Sequence, residues 1–336
     1  MKITVLGSGA WGTALALLLL ENGHDVTLWS YTEEESKVLR ETRENPMLKG
    51  VPLPEEMHFA TDMACVKDCG LVVVATPSFA VRSTAAKLKE LADPGTFLVS
   101  VSKGIEKNTS LRLSQVIEEE VEGKCPVVVL SGPSHAEEVG RHIPTGVVAA
   151  ADDLEIAQKV QDVFRNQRFR VYTSDDKVGT EICAALKNVV ALCAGVCDGM
   201  GAGDNTKALL MTRGLAEMAR LGVALGGKKE SFTGLAGTGD LIVTCCSMHS
   251  RNRRCGILIG QGKPVDEAIK EIGAVVEGYY AAANARTLAQ KAGVEMPIAQ
   301  AAYEVLYENR SVHGVVDSLM QRAKRSELEE SWTDNN

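Results

Sequence analysis

The chain has 336 residues, 45% hydrophobic and 24% charged, a balance that is ordinary for a soluble globular protein and long enough for two domains. Its 36 basic and 44 acidic residues give a net charge of −8, which argues against nonspecific binding to nucleic acids or anionic membranes. No apolar run approaches the roughly 20 residues that a membrane helix needs, so we expect no membrane insertion. Nine cysteines without a recognisable secretory signal indicate reduced thiols rather than disulfides or metal ligands.

The first thirty residues predict a β–α–β unit. Ile3, Val5 and Leu6 form a short apolar strand, and an apolar helical run follows Gly12. Between them, residues 7–12 read G-x-G-x-x-G. A second strand is expected over Asp25–Trp29, after the helix stop at residues 22–24.

Each glycine of this fingerprint has its own physical reason. Gly7 makes the tight turn, Gly9 lets a pyrophosphate approach the backbone, and Gly12 allows the helix to pack closely on the strand. The N–H groups at the helix start can then bind phosphate oxygens. The fingerprint in this setting predicts a dinucleotide site, whereas a glycine pattern alone would be weak evidence.

Further valine-rich strands alternate with helical patterns up to residue 174, which predicts a doubly wound α/β domain with a mostly parallel sheet over residues 1–174. The strand runs are Leu71–Ala75, Phe97–Val101, Val127–Leu130, Gly146–Ala150 and Phe169–Tyr172. Several end in polar or Gly/Pro segments, at residues 76–78, 102–104 and 131–134. Because open α/β sheets bind ligands at the carboxyl ends of their strands, these segments are candidate site residues.

From residue 175 the pattern becomes helical, and we expect an all-helical domain over residues 175–336 with a disordered polar tail at 326–336. The expected helices are Glu181–Asp198, Thr206–Leu225, Val265–Ile272, Tyr279–Lys291 and Pro297–Leu306. Two glycine-rich segments, 198–205 and 233–240, are expected as loops.

Lys187 lies inside an otherwise apolar helix, over residues 182–192. One interpretation lays its stem along the helix and its ammonium in water, the commoner arrangement for such lysines. The other is functional, since a desolvated lysine near other cations has a lowered pKa and can transfer a proton near neutral pH. The sequence leaves both open.

The densest basic cluster, Ser250–Arg254, follows Asp240 and its Gly-Thr-Gly turn. A nucleic-acid patch is disfavoured because no aromatic residue is interleaved and the net charge is negative. A solvated face explains Arg253 and Arg254 equally well. Arg251 with Asn252 suits a single phosphate, through a guanidinium fork and an amide donor.

Taken together, seven motifs resemble the bacterial NAD(P)-dependent glycerol-3-phosphate dehydrogenases over residues 1 to about 310. They are G-S-G-A-W-G-T-A-L-A near the start, S-K-G-I-E at 102–106, S-G-P-S at 131–134, A-L-K-N-V at 185–189, G-T-G-D at 237–240, S-R-N-R at 250–253 and V-E-G at 276–278. The ordered set is highly specific, although each motif alone is not.

The resemblance implies a set of site residues, with no metal. Those that would contact the cofactor, with the fingerprint glycines Gly7, Gly9 and Gly12, are Ala10, Trp11, Tyr31, Lys103, Ala136, Arg251, Val275 and Glu277. Those that would hold the substrate are Lys103, Gly132, Ser134, Lys187, Asp240, Ser250, Arg251 and Asn252.

The reaction implied by the resemblance is reversible hydride transfer between NAD(P)H and dihydroxyacetone phosphate. Lys187 would donate the proton in one direction and accept it in the other. Lys103 would lower the pKa of Lys187 and Asp240 would raise it, so its value stays open. Members of the family usually work as cytoplasmic dimers and supply phospholipid synthesis.

Two features keep alternatives open. The second strand ends in Ser30, Tyr31 and Thr32, where a strict NAD enzyme has an acidic residue. These positions carry no basic residue that could bind the 2′-phosphate of NADP either. The choice between NAD and NADP is therefore unresolved. A related two-domain hydroxy-acid dehydrogenase and a nicotinamide-binding sensor without turnover are the other functions considered. Arg251 and Asn252 favour a phosphorylated substrate, and Lys187 favours an enzyme.

Overall fold

The computed structural model describes residues 1–324 and 326–327. The chain divides into two compact units, one formed by Met1–Glu106 and Leu111–Lys177, the other by Lys107–Ser110 and the chain from Val178 onward. The boundary predicted from the sequence lies three residues earlier, after residue 174. Most of the tail expected to be disordered, residues 328–336, lies outside the described residues.

The first unit contains an eight-stranded sheet in the order β3-β2-β1-β4-β5-β6-β7-β8. All neighbouring strands are parallel except β6 and β7, which are antiparallel. The mostly parallel α/β class is therefore confirmed. The strands are β1 Lys2–Leu6, β2 Asp25–Trp29, β3 His58–Ala60, β4 Leu71–Val74, β5 Phe97–Ser100, β6 Val127–Ser131, β7 Thr145–Ala150 and β8 Phe169–Ser174.

Both faces of the sheet are buried, which explains why its central strands are continuously apolar. Along β4, Leu71 and Val73 join one apolar cluster while Val72 and Val74 join the other. Successive side chains of a strand point to opposite faces, so an alternating polar pattern would have left one face of this strand unsuited to burial. The helices that cover the sheet are α1 Ala10–Glu21, α2 Glu33–Thr42, α3 Val81–Leu91, α4 Leu113–Val121, α5 Ala136–Val139 and α6 Leu154–Phe164.

The second unit is helical over its described residues, as expected. Its helices are α7 Lys177–Gly199, α8 Gly203–Ala224, α9 Lys229–Thr233, α10 Asp240–Cys246, α11 Arg251–Gly260, α12 Val265–Ile272, α13 Glu277–Ala292, α14 Pro297–Tyr307 and α15 Val312–Met320. The five helices predicted from the sequence correspond to α7, α8, α12, α13 and α14. The helices α9, α10, α11 and α15 were not predicted from the sequence, because they are short or carry a polar first turn.

Three further details differ from the sequence-based expectations. The short edge strand β3 was not predicted, because three residues carry too little pattern. The antiparallel β7 follows a connection whose helix has only four residues, shorter than a usual parallel crossover. Residues Leu235–Gly239, expected as part of a loop, form a π-helical turn, in which Gly237 packs so closely on Phe232 that a β-carbon would lie 2.1 Å from its carbonyl oxygen.

The helix α7 corrects the expectation that no segment is long and apolar enough to span a membrane. It has 23 residues, and its best 18-residue window has a mean hydropathy of 1.5. However, 78% of that window is buried inside the protein. Buried core helices pass the same length and composition test, and we interpret α7 as a core helix.

A buried carboxylate stabilises the start of α14. Glu217 of α8 is 5% exposed, and its two carboxylate oxygens accept the backbone N–H groups of Ile298 and Ala299 at 2.8 and 3.2 Å. Burial raises the pKa of Glu217 to about 7, and the two N–H donors and the charges of Arg220 and Arg322 oppose this rise only in part. Glu217 therefore titrates near neutrality in the folded protein.

We expect this group to make the protein less stable as the pH rises from about 4.5 to 7. Over that interval the unfolded chain releases the proton, at the ordinary pKa of 4.5, while the folded chain still holds it. The loss is on the order of 3 kcal/mol in the free energy of unfolding and levels off above pH 7. Urea unfolding at pH 5 and pH 7.5 should show this loss for the native protein but not for Glu217→Gln. An equal pH dependence in both would contradict it.

Candidate active site

The fingerprint turn joins β1 to α1. Gly7 has φ +123°, and a β-carbon there would lie 2.7 Å from the carbonyl oxygen of Ala75 on the neighbouring strand's end. A β-carbon on Gly12 would lie 2.0 Å from the carbonyl oxygen of Gly7. At Gly9, by contrast, a β-carbon would meet nothing within 4 Å. The backbone is thus tightly packed at two glycines and open at the third, beside the start of α1.

These features fit a dinucleotide. The start of α1 has no side-chain cap, since Gly9 occupies the capping position. In addition, the buried indole N–H of Trp11 in the first turn has no hydrogen-bond partner within the described chain. An uncapped helix start with open space beside it offers N–H donors to phosphate oxygens.

Asn45, which was not predicted as a site residue from the sequence, holds the fingerprint turn in place. Its amide donates to the carbonyl oxygen of Ser8 at 2.9 Å and to the hydroxyl of Thr13 at 2.6 Å. Asn45 is 1% exposed, so these bonds lie in a low-dielectric environment. It comes from the segment after α2, which carries no pattern that connects it to a turn 37 residues earlier.

The end of β2 carries no acid, as expected from the sequence. Ser30 is fully buried, and the ring of Tyr31 is 79% exposed with its edge against Trp29. The first acid, Glu33, begins α2 and accepts the hydroxyl of Thr61 at 2.9 Å while also pairing with Arg40. These two contacts lower the pKa of Glu33, so this exposed carboxylate stays ionised and bound to Thr61 and Arg40.

The segments that follow β5 and β6 meet at the same edge of the sheet. The ammonium of Lys103 donates to the carbonyl oxygen of Gly132 at 3.2 Å and to the hydroxyl of Ser134 at 3.5 Å. Gly132 has φ +145°, and a β-carbon there would lie 3.0 Å from the α-carbon of Val147, so only glycine fits. Ala136 begins α5 directly after this segment and is buried.

In the second unit, Lys187 forms a buried ion pair with Asp240 on the adjacent helix α10. The ammonium lies 3.0 Å from a carboxylate oxygen, and the two side chains are only 5% and 2% exposed. The arrangement with the ammonium in water is therefore wrong for Lys187. Burial of a lysine at this depth requires such a partner, because an isolated charge would be very costly.

Thr244 completes this pair. Its hydroxyl donates to the backbone carbonyl of Asp240 at 2.6 Å and accepts from the ammonium of Lys187 at 2.6 Å. The direction of both bonds follows, because a lysine can only donate. Thr244 stands one helical turn after Asp240, a spacing that could have signalled its position once α10 was recognised.

A chain of buried amides joins α7, α11 and the start of α13. The side-chain amide of Asn252 donates to the amide oxygen of Asn188 at 2.9 Å. The backbone N–H of Gly278 donates to the amide oxygen of Asn252 at 2.8 Å. Val275 and Glu277, the two remaining residues expected near the cofactor, lie just before Gly278 in the chain and are partly buried.

The basic cluster begins α11. Ser250 caps the helix by accepting the N–H of Arg253 at 3.2 Å. Arg253 itself is bound to Asp198 at 2.7 Å, and Asp198 also pairs with Lys207. In contrast, the exposed side chain of Arg251 has no hydrogen-bond or ion-pair partner within residues 1–324 and 326–327.

The comparisons with known proteins agree along nearly the whole chain. A family model for the N-terminus of NAD-dependent glycerol-3-phosphate dehydrogenase matches residues 2–157, and a model for its C-terminus matches residues 176–317. The chain belongs to the NAD-dependent glycerol-3-phosphate dehydrogenase family. The sequence-based recognition of this family is confirmed.

Individual relatives give the same picture. The glycerol-3-phosphate dehydrogenase (NAD(P)+) of Moorella thermoacetica is 54% identical to this chain, and the match covers 98% of each protein. The glycerol-3-phosphate dehydrogenase (NAD(P)+) of Fusobacterium nucleatum is 50% identical, and the match covers 99% of this chain and 100% of that protein. The crystal structure of the Coxiella burnetii glycerol-3-phosphate dehydrogenase has a TM-score of 0.92 and 38% identity, covering 96% of this chain and 99% of that one. A D-mandelate dehydrogenase with a TM-score of 0.63 and 16% identity shares only the fold.

Each unit of this family member thus assembles part of the predicted site. The first brings together the fingerprint turn and, separately, Lys103 with Gly132 and Ser134. The second brings Lys187 to Asp240 and places Ser250, Arg251 and Asn252 on the first turn of α11. The described residues contain no group of three or more His, Cys, Asp or Glu side chains that could hold a metal ion.

Proposed function

We propose that this chain catalyses reversible reduction of dihydroxyacetone phosphate to sn-glycerol 3-phosphate with NADH or NADPH. The observation that carries the proposal is the buried ion pair of Lys187 and Asp240 in a member of the glycerol-3-phosphate dehydrogenase family. A proton donor held in a dry environment next to its counter-ion suits a reaction that creates a charged oxygen.

The residues that would hold the cofactor are those that the family resemblance implies. Gly7, Gly9 and Gly12, with Ala10 and Trp11, would bind its pyrophosphate at the start of α1. The other cofactor contacts would be Tyr31, Lys103, Ala136, Arg251, Val275 and Glu277. When bound, the nicotinamide supplies or accepts the hydride at the carbonyl carbon of the substrate.

Lys187 would transfer the proton. As the substrate carbonyl is reduced, negative charge develops on its oxygen, and the Lys187 ammonium stabilises that charge and then donates a proton to it. In the reverse direction the neutral amine takes the proton from the alcohol. Asp240 and Thr244 hold the ammonium in one orientation through bonds of 3.0 and 2.6 Å, which lowers the entropic cost of alignment.

The phosphate group would be bound mainly by Arg251. Its guanidinium is exposed and without a partner in the described chain, whereas the neighbouring Arg253 is committed to Asp198. Ser250 and Asn252 flank it on the same helical turn, and Lys103, Gly132 and Ser134 would complete the substrate contacts. A guanidinium without a protein partner has its full fork of N–H donors available for the phosphate oxygens.

Thr244→Val is expected to lower kcat about tenfold while leaving cofactor affinity unchanged, because Lys187 loses a group that orients it. Valine has nearly the same shape as threonine but offers no acceptor. Thr244→Ser keeps the hydroxyl and is the matched control, with kcat close to that of the native protein. Steady-state kinetics and a fluorescence titration with NADH measure both quantities. A native kcat for Thr244→Val would remove Thr244 from the site.

We further propose that the enzyme works in the cytoplasm as a homodimer and supplies glycerophospholipid synthesis. This proposal rests on the family resemblance. The size of the purified protein in solution, measured by light scattering, tests the dimer.

The decisive experiment follows NADH and NADPH oxidation separately with dihydroxyacetone phosphate, and repeats both with a 2-oxo acid. Turnover that requires the phosphorylated ketone supports the proposal, and the ratio of the two rates gives the cofactor preference. Turnover with the 2-oxo acid alone would indicate a hydroxy-acid dehydrogenase. Cofactor binding without turnover of either would indicate a sensor.

A further inference from the structure

Lys103 lies on a short segment that is fixed on both sides. Before it, the hydroxyl of Ser102 donates to the carbonyl oxygen of Thr76 at 2.5 Å. After it, Glu106 is bound by Arg82, and the backbone N–H of Glu106 donates to the carbonyl oxygen of Leu111 at 2.9 Å. The position of Lys103 is therefore determined by anchors on either side of it as well as by its own contacts.

The stronger anchor is the fork between Arg82 and Glu106. Two guanidinium nitrogens of Arg82 donate to the two carboxylate oxygens of Glu106, both at 2.8 Å. Parallel charge-assisted hydrogen bonds of this kind fix the orientation of both groups as well as their distance. Glu106 is 17% exposed and Arg82 34%, so solvent screens the pair less than it would an open surface pair.

Arg82 also neutralises an acidic cluster. It donates to Glu120 at 2.6 Å and to Glu119 at 3.0 Å, both on α4, so three carboxylates share one guanidinium. These hydrogen bonds raise the pKa of Arg82 above its already high value. Without the guanidinium, the two carboxylates on α4 would repel Glu106 and, with it, the segment that carries Lys103.

We propose that Arg82 is a positioning residue for Lys103, acting through its fork to Glu106. The proposal rests on the proposed function, in which Lys103 contacts both the substrate and the cofactor. Every hydrogen bond described for Arg82 goes to one of these three glutamates, so its influence on binding is indirect. Neither Arg82 nor Glu106 was a candidate site residue from the sequence. They lie 24 residues apart, and no sequence pattern indicates that their side chains pair.

The test compares Arg82→Lys with Lys89→Gln. Lysine keeps the charge but cannot form the fork, so a purely electrostatic role would be retained and a positioning role lost. Lys89 is the matched control, because it lies on α3 with Arg82 and pairs at 2.7 Å with Glu122, the residue that follows α4. We expect Arg82→Lys to raise the KM for dihydroxyacetone phosphate and the Kd for NADH about tenfold each, with a smaller change in kcat. Lys89→Gln should change none of these.

A double-mutant cycle with Lys103→Ala shows whether the effect passes through Lys103. If it does, Arg82→Lys should add almost nothing in the Lys103→Ala background. Full additivity, or native binding constants for Arg82→Lys, would overturn the proposal. Thermal unfolding of each variant identifies any general loss of structure. If Arg82→Lys fails to fold, Glu106→Gln takes its place, because it removes the charge of the partner but keeps its size. It should then show the same rise in KM and Kd that is expected for Arg82→Lys.

The proposed function and the positioning role fail in distinguishable ways. Native protein that does not reduce dihydroxyacetone phosphate contradicts the function. The NADH titration needs no turnover, so it still decides whether Arg82 and Lys103 are coupled. Normal native turnover with additive variants contradicts the positioning role alone.

Discussion

Lys187→Ala is expected to lower kcat by roughly 10² to 10⁴, the range for loss of a general acid–base group, while NADH still binds. The physical reason is that no other group would then protonate the oxygen at which charge develops. Initial rates at saturating NADH and dihydroxyacetone phosphate measure the effect. Near-native turnover would contradict the catalytic role.

The buried ion pair complicates this experiment, because removal of Lys187 leaves the carboxylate of Asp240 buried beside Thr244. Breaking such a pair costs about 3 to 5 kcal/mol of stability. The double variant Lys187→Met/Asp240→Asn removes both charges and is the matched control. It should unfold at a higher temperature than Lys187→Ala, yet remain as inactive. Activity that returned together with stability would show that Lys187 is structural.

Arg251→Ala is expected to lower kcat/KM for dihydroxyacetone phosphate by roughly 10² or more, because each charge-assisted hydrogen bond to the phosphate contributes about 1.5 to 3 kcal/mol. Unphosphorylated dihydroxyacetone lacks the group that Arg251 would bind. Its kcat/KM should therefore scarcely change, apart from any loss through cofactor binding. Both substrates are compared at saturating cofactor, with the Kd for NADH measured alongside.

Arg254 provides the matched control for Arg251. It is exposed, lies on the same helix and carries the same charge, so Arg254→Ala reproduces any general change in electrostatic potential. We expect native kinetics for Arg254→Ala with both substrates. An equal fractional loss for both substrates in Arg251→Ala would contradict the phosphate role and favour a carboxylate substrate.

Local sequence patterns were sufficient for the framework of the fold. The G-x-G-x-x-G turn depends on the conformation of Gly7 and the missing β-carbon of Gly12, which are properties of the residues themselves. The valine runs of the central strands indicate a sheet buried on both faces, and the 3.6-residue periodicity identifies long helices such as α8. Motifs in fixed order then identified the family, because their combination is far more specific than any single one.

Only the tertiary structure decided how distant side chains pair. Lys187 and Thr244 are 57 residues apart, Asn45 and Ser8 are 37 apart, and Arg82 and Glu106 are 24 apart. No periodicity links such positions, because helix and strand packing brings them together. The same dependence explains the unpredicted β3 and the π-helical turn at Leu235–Gly239, whose conformations are set by neighbouring elements. The sequence by itself determined which residues are available for chemistry, and the packing of the helices determined that the charge of Lys187 is buried against Asp240 and that of Arg251 is left exposed.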